Sequence, residues 1–310
     1  MATSNSTSIN TVNRLKGFAF VIGIFFSLAL LLMTFNQVMA QSLDPIAQDV
    51  SFKSEGVSLV GTIYKPKQPH AAVVIVHGSG QEPRMTKLAK LLAKNGISVL
   101  TYDKRGVGES GGVYAGPEVG TNNISTTNLD LLAKDASAAV NLLHQQNKAL
   151  PIGLVGFSQA GWIIPKAANK NPLVEFMVLF SCPTVTTLEQ LRFQFYTNGN
   201  TDFWENHTEA DAREHIKNDP DRYQFTSTDP KIDLSTLSIP GLWLFGEKDI
   251  QIPTKMCIEH LNEFKVQGKP FEYALFPTLG HNTAFANTTA PVDIALHWIK
   301  QKALNLKEGK

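Results

Sequence analysis

The chain has 310 residues, 43% hydrophobic and 18% charged, with a formal net charge of +1. That length and apolar content support one large domain with its own core, so neither a disulfide framework nor a structural metal is needed to hold it together. Near-neutral charge without a Lys/Arg cluster excludes nucleic acid as the main partner and does not favour a polyanionic substrate.

The first forty residues differ from the rest. Residues 1–13 are mostly Ser, Thr and Asn and read as disordered. Arg14 and Lys16 precede an apolar run from Gly17 to Phe35, and Val38-Met39-Ala40 follows before Gln41. A basic start, an apolar centre and an A-x-A-like end make a secretory signal peptide over residues 1–40. The run also has about the length that spans a bilayer, so an uncleaved membrane anchor through residues 17–35 is the alternative. Both readings export residues 41–310, to the periplasm or as a secreted protein. Cys182 and Cys257 are the only cysteines. Export permits a disulfide between them, and two buried thiols are the plainer reading. No Cys or His spacing matches a metal site.

From residue 50 onward, short β-rich runs alternate with helical patterns. Val57–Val60 and Thr62–Tyr64 read as two antiparallel strands flanking Gly61. Ala71–Val76 is a continuous apolar run, as expected of a strand covered on both faces. Met85–Lys94 carries Leu88, Leu91 and Leu92 at helical spacing and stops at Asn95-Gly96, a C-cap signal. Ile97–Asp103 is a strand, Asn128–Gln146 an amphipathic helix, Ile152–Phe157 a strand and Gln159–Asn169 a helix. Phe176–Ser181 and Leu242–Phe245 are strands, Thr254–Val266 is helical, Phe271–Phe276 is a strand, and Val292–Leu304 closes the chain as a helix. The alternation predicts an α/β fold: a mostly parallel sheet with helices on both faces and reactive groups at the C-terminal strand ends. Residues 184–237 interrupt it. This segment is polar and rich in aromatics (Phe193, Phe195, Tyr196, Phe203, Trp204, Tyr223, Phe225), and it reads as a small helical cap inserted before the penultimate strand.

Three loops carry candidate chemistry. Gly156-Phe157-Ser158-Gln159-Ala160-Gly161 sits where a strand ends and a helix begins, a G-x-S-x-G nucleophile elbow with Ala160 in place of the second glycine. A serine hydroxyl needs a base to take its proton, and His281, just past the last strand, is the candidate. His70, His144, His207, His215, His260 and His297 read as surface or packing residues. Asp249, in the loop after the penultimate strand, is the carboxylate that would orient the imidazole, with Glu247 as the competing acid. The backbone N–H groups of Ser79, in His77-Gly78-Ser79-Gly80, and of Gln159 are candidate oxyanion donors.

Together with His77–Gly80 and the elbow, the run Tyr102-Asp103-Lys104-Arg105-Gly106-Val107-Gly108-Glu109-Ser110 resembles the α/β-hydrolase superfamily, and within it the serine esterase and serine-aminopeptidase-like group. The resemblance covers about residues 50–304. It implies the α/β-hydrolase fold, a Ser158–Asp249–His281 triad, no cofactor and no metal, and a structural role for Asp103, Arg105 and Gly106. The expected activity is cleavage of a small-molecule ester or short acyl substrate through an acyl-enzyme. An aminopeptidase-like serine peptidase is the alternative, and Glu205, Glu209 and Asp211 in the cap are candidates to hold a substrate amine. Export disfavours a thioesterase, because acyl-CoA is cytoplasmic. From another class, the fold would also serve as a catalytically idle ligand-binding homologue. The cap aromatics either line an acyl pocket or pack the cap helices on the sheet.

Overall fold

The computed structural model describes residues 44–116, 123–218 and 226–308. The expected signal or anchor lies outside them, and among the described residues no helix is long and apolar enough to cross a membrane.

Chain order begins β1 (Ile46–Ser54), β2 (Val57–Lys65), β3 (Ala71–Val76), α1 (Thr86–Lys94), β4 (Ile97–Tyr102), α2 (Thr126–Gln146), β5 (Ile152–Phe157), α3 (Ala160–Lys170) and β6 (Phe176–Phe180). The insertion follows, with α4 (Thr187–Thr197), α5 (Phe203–Asn206), α6 (Glu209–Asn218) and α7 (Pro230–Thr236) among its described residues. The chain then returns to the sheet through β7 (Gly241–Gly246), α8 (Thr254–Val266), β8 (Phe271–Phe276) and α9 (Ala290–Glu308). The insertion belongs to the same compact unit as the sheet, Pro45–Lys310.

The strands form one eight-stranded sheet in the order β1-β2-β4-β3-β5-β6-β7-β8. β1 and β2 pair antiparallel, β2 meets β4 antiparallel, and every later pairing is parallel. Core strands β3, β4, β5, β6 and β7 are buried along their whole length, because helices cover both faces. One apolar layer joins the sheet to α2, α3 and α8. The other joins it to α1 and α9. β3 lies between β4 and β5, where the direction of strand succession reverses. Loops leaving neighbouring strands diverge there and open a crevice at the carboxyl ends.

The β1–β2 hairpin turns at Glu55-Gly56 rather than at Gly61. Both turn residues have positive φ, 47° and 76°, as a two-residue type I′ turn demands. Gly61 sits inside β2, opposite Tyr102 of β4. A Cβ there would come within 2.6 Å of the Thr101 carbonyl oxygen, so close strand approach, not a turn, requires the glycine.

The segment after β4 is held by buried charge. Asp103 accepts hydrogen bonds from the backbone N–H of Arg84 (2.8 Å) and of Glu109 (3.1 Å). Arg105 forks onto Asp135 of α2 with both side chains almost fully buried, Nε donating to Oδ2 at 2.9 Å. Losing one partner of such a pair costs on the order of 3–5 kcal/mol, because the other charge is left without compensation. Gly106 has φ of +73°, and a Cβ on it would overlap the Tyr114 amide.

Candidate active site

Ser158 stands between β5 and α3 with φ of +48°. This left-handed conformation costs a non-glycine residue roughly 1–3 kcal/mol and persists only where its surroundings over-determine it. Here the Ser158 N–H donates to the Phe180 carbonyl on β6 (3.2 Å), and the Gly161 N–H donates to the Ser158 carbonyl (2.9 Å). The flanking residues must be small. A Cβ on Gly156 would lie 2.5 Å from Ala160 Cβ, and one on Gly161 would lie 2.6 Å from the Pro183 carbonyl oxygen. Ala160 is therefore tolerated at the second glycine position of the motif, since its methyl group fills the space that Gly156 leaves open.

His281 and Asp249 reach the same end of the sheet from the loops after β8 and β7. Their loops are joined at Gly246, where a Cβ would sit 2.2 Å from the Gly280 carbonyl oxygen. The backbone then zips them together: Glu247 N–H donates to Phe276 O (3.0 Å) and Lys248 N–H to Leu279 O (2.9 Å). Asp249 is fully buried, and its Oδ2 lies 2.8 Å from His281 Nδ1. Its Oδ1 accepts the backbone N–H of Gln251 (2.7 Å) and of Ile252 (3.0 Å). These bonds compensate a carboxylate that burial alone would disfavour. Glu247 is exposed, so Asp249 and not Glu247 is the acid that meets the imidazole.

Ser158 and His281 line one cavity of about 180 Å³, together with Gly78, Ser79, Gly80, Glu82 and the loop from Asn282 to Phe285. The loop after β3 comes close to the elbow: a Cβ on Gly78 would be 3.7 Å from Ser158 Cβ. Among the described residues, neither the Ser79 N–H nor the Gln159 N–H donates to a protein acceptor. Both amides are thus unspent beside Ser158, as binding of an oxyanion there would require.

Two charged residues of this region escaped sequence analysis as site residues. Glu82 lines the cavity, and its Oε2 accepts the Gly78 N–H at 2.9 Å. Burial pushes its carboxyl above the usual range, against the pull of the Gly78 N–H and the Lys104 charge. Lys104 is almost completely buried. Its Nζ donates to Gly78 O (2.6 Å) and Gln159 Oε1 (3.1 Å), with Gly80 O at 3.4 Å. The only sequence signal was a lysine two residues past a strand that proves buried along its whole length. His77 is also buried; desolvation, then the Lys104 charge, lowers its imidazole to about 3, so it is neutral.

The cap behaves differently from its two sequence-level roles. Phe193, Phe203, Tyr196 and Trp204 pack with Ala212 and Ile216 into a core of their own. The rings that line the cavity are instead Phe157, Phe180 and Phe285. Tyr223 and Phe225 lie outside the described residues. Glu205, Glu209 and Asp211 do not line the cavity; Glu209 pairs with Arg213 at 3.0 Å, and Asp211 caps α6 through Thr208. The insertion touches the site indirectly, because Trp204 Nε1 donates to the Asp249 carbonyl (2.8 Å) and Gln190 Nε2 to the Gln251 carbonyl (2.8 Å). Cys182 and Cys257 are buried free thiols, and burial raises Cys257 to about 11. No cluster able to hold a metal occurs among the described residues.

A family model described as "Serine aminopeptidase, S33" matches residues 67–239, more than half of the chain. That stretch includes Ser79, Lys104 and Ser158 and ends before Asp249 and His281. A curated relative, an uncharacterised protein of Rickettsia prowazekii, is 27% identical over 143 residues, covering 44% of this chain and 55% of that protein. The chain thus spans about half the length of that relative. Among solved structures, a Pyrococcus horikoshii acylaminoacyl peptidase matches with a TM-score of 0.61 at 15% identity, covering 86% of this chain and 42% of that one. A Pyrococcus furiosus esterase matches at 0.58 and 18% identity, covering 86% and 92%. These likenesses show the α/β-hydrolase fold.

Proposed function

The chain belongs to the serine aminopeptidase S33 family of α/β hydrolases, and from that premise we propose that it cleaves carboxylic esters through an acyl-enzyme on Ser158. The observation that carries this reading is the 2.8 Å contact of buried Asp249 with His281, whose ring shares a cavity with Ser158. His281 takes the Ser158 proton as Oγ attacks the acyl carbonyl, with Asp249 holding the imidazole. The N–H groups of Ser79 and Gln159 receive the oxyanion. His281 then protonates the leaving alcohol, and a water molecule, activated by the same imidazole, releases the acid and restores Ser158. Each step uses only groups of the chain and water.

The small cavity and its phenylalanine walls support short acyl groups. The purified protein is expected to hydrolyse p-nitrophenyl acetate and butyrate faster than long-chain esters, and to bind a fluorophosphonate covalently at Ser158. A protein that neither turns over any ester nor takes the label would be an idle binder. A second reading, release of an N-terminal residue, has Glu82 in its favour, because a carboxylate in the cavity suits a substrate ammonium. Turnover of aminoacyl-p-nitroanilides without turnover of esters would replace the first reading by the second.

We also propose that the enzyme acts outside the cytoplasm, on the strength of the basic, apolar and small-residue succession in residues 14–40. Fractionation of the producing cells should find it in the membrane, periplasm or medium. Recovery of the full chain in the cytosol would refute this.

A further inference from the structure

We infer that Lys104 is the positioning residue of the oxyanion hole: its ammonium holds and polarises the peptide group whose N–H belongs to Ser79, and it anchors Gln159, whose N–H is the second donor. The inference rests on the proposed roles of those two amides. Its core is a property of the trans peptide. The Gly78 carbonyl and the Ser79 N–H are opposite ends of one planar group and point in opposite directions. Lys104 Nζ lies 2.6 Å from that carbonyl oxygen. The N–H at the other end is therefore turned away from the ammonium, and Ser79 lines the cavity with Ser158. A charge-assisted hydrogen bond at the carbonyl draws electron density from the amide and makes its N–H a stronger donor.

The remaining contacts fix the same loop. The Gly78 N–H is taken by Glu82 Oε2 at 2.9 Å, the Ser79 carbonyl by Tyr114 Oη at 2.7 Å, and the Gly80 carbonyl faces Nζ at 3.4 Å. All three carbonyls of Gly78, Ser79 and Gly80 are thus engaged, while the Ser79 and Gly80 N–H groups stay unspent among the described residues. On the other side, Nζ donates to Gln159 Oε1 (3.1 Å), and Gln159 Nε2 donates to the carbonyl and Oδ1 of Asn123 (3.0 and 2.9 Å). A lysine suits the place because an ammonium has three donors and three acceptors converge on it. Lys104 makes no ion pair among the described residues, so its charge stands open to the negative charge that develops at the hole.

The ionisable groups facing the ammonium come from the loop after β3 and from its own segment. His77 and Glu82 belong to the loop after β3, and the Tyr114 ring lies 5.4 Å from Nζ on the segment after β4; Gln159, from the start of α3, does not titrate. Burial lowers the ammonium to about 8, against the opposing pull of Glu82. Below that pH the hole is complete. Above it the amine is neutral and has lost both its charge and one donor, so turnover should fall.

The test uses the full chain and p-nitrophenyl acetate. Lys104→Met is expected to lower kcat by about 10–100-fold with little change in KM, somewhat less than direct loss of an oxyanion donor. The wild-type kcat/KM should show an alkaline limb near pH 8 that is absent in Lys104→Met. Lys104→Gln, which keeps a donor without the charge, should be intermediate in kcat and also lack the limb. A purely structural lysine would not move the limb. A Lys104→Met enzyme with kcat within about twofold of wild type and the same limb overturns the inference. If that variant fails to fold, the wild-type profile decides: a flat kcat/KM between about pH 7 and 9.5 overturns it. An active Ser158→Ala would instead remove the reading beneath it, so the two failures are distinguishable.

Discussion

Ser158→Ala is expected to lower kcat on short p-nitrophenyl esters by roughly 10⁴–10⁶-fold and to abolish fluorophosphonate labelling. The alanine removes one oxygen and nothing that holds the elbow. The bonds that keep the turn closed are made by the backbone of residue 158, through its N–H to Phe180 O and its carbonyl from Gly161 N–H. Both survive the substitution, and so do the φ of +48° and its strain. Melting should therefore stay close to wild type. Ser158→Gly gives a second handle on the same site. Glycine adopts positive φ without steric cost, although it also loosens the unfolded chain. Its melting point should lie at or above that of Ser158→Ala, with turnover equally low. That pattern would identify the left-handed turn as strain kept for chemistry, in line with the usual exchange of stability for activity. Turnover of Ser158→Ala within tenfold of wild type would end the assignment of Ser158 as the nucleophile.

The placement of Ser158, Asp249 and His281 just past three strands was legible because each of those strands declares itself. Ile152–Phe157, Gly241–Gly246 and Phe271–Phe276 carry apolar patterns bounded by turn signals, and a parallel sheet brings their carboxyl ends to one edge. Asp249 was preferred over Glu247 from its place in the loop, and the structure separates the two acids by burial and by the 2.8 Å contact of Asp249 with His281. Gly61 misled for a related reason. A glycine between two β-rich runs looks like a turn, whereas the need here comes from Thr101 and Tyr102 on a strand some forty residues away. The cap aromatics were ambiguous in principle. Aromatic content says that rings will be buried, not against what, and these rings pack against one another. Lys104 is the clearest case. It sits inside the loop motif as one more charged residue, and its importance depends on three acceptors from segments 78–80 and 159 that only the sheet order brings together.

Asp249→Asn is expected to lower kcat by on the order of 10³–10⁴-fold with the fold largely retained, whereas Glu247→Gln should leave kcat near wild type. Asp249 and asparagine have the same shape, so the effect isolates one proton. The Oδ1 of Asp249 accepts two backbone N–H bonds, from Gln251 and Ile252. An asparagine must keep its carbonyl oxygen there, because its NH₂ cannot accept. The NH₂ then faces His281 Nδ1 and turns that nitrogen from donor to acceptor. Neutral imidazole carries a single N–H, which moves to Nε2, the nitrogen that must take the serine proton. The base is present, in position and in the wrong tautomer. Trp204 reinforces the geometry, since its Nε1 donates to the Asp249 backbone carbonyl, a bond that the substitution leaves intact. The pH dependence of kcat and a thermal melt, measured on both variants, separate the tautomer account from simple loss of structure. An Asp249→Asn enzyme that melts far below wild type and is inactive would point to a structural carboxylate. One that keeps more than a tenth of wild-type kcat would remove Asp249 from the triad and reopen the question of which group orients His281.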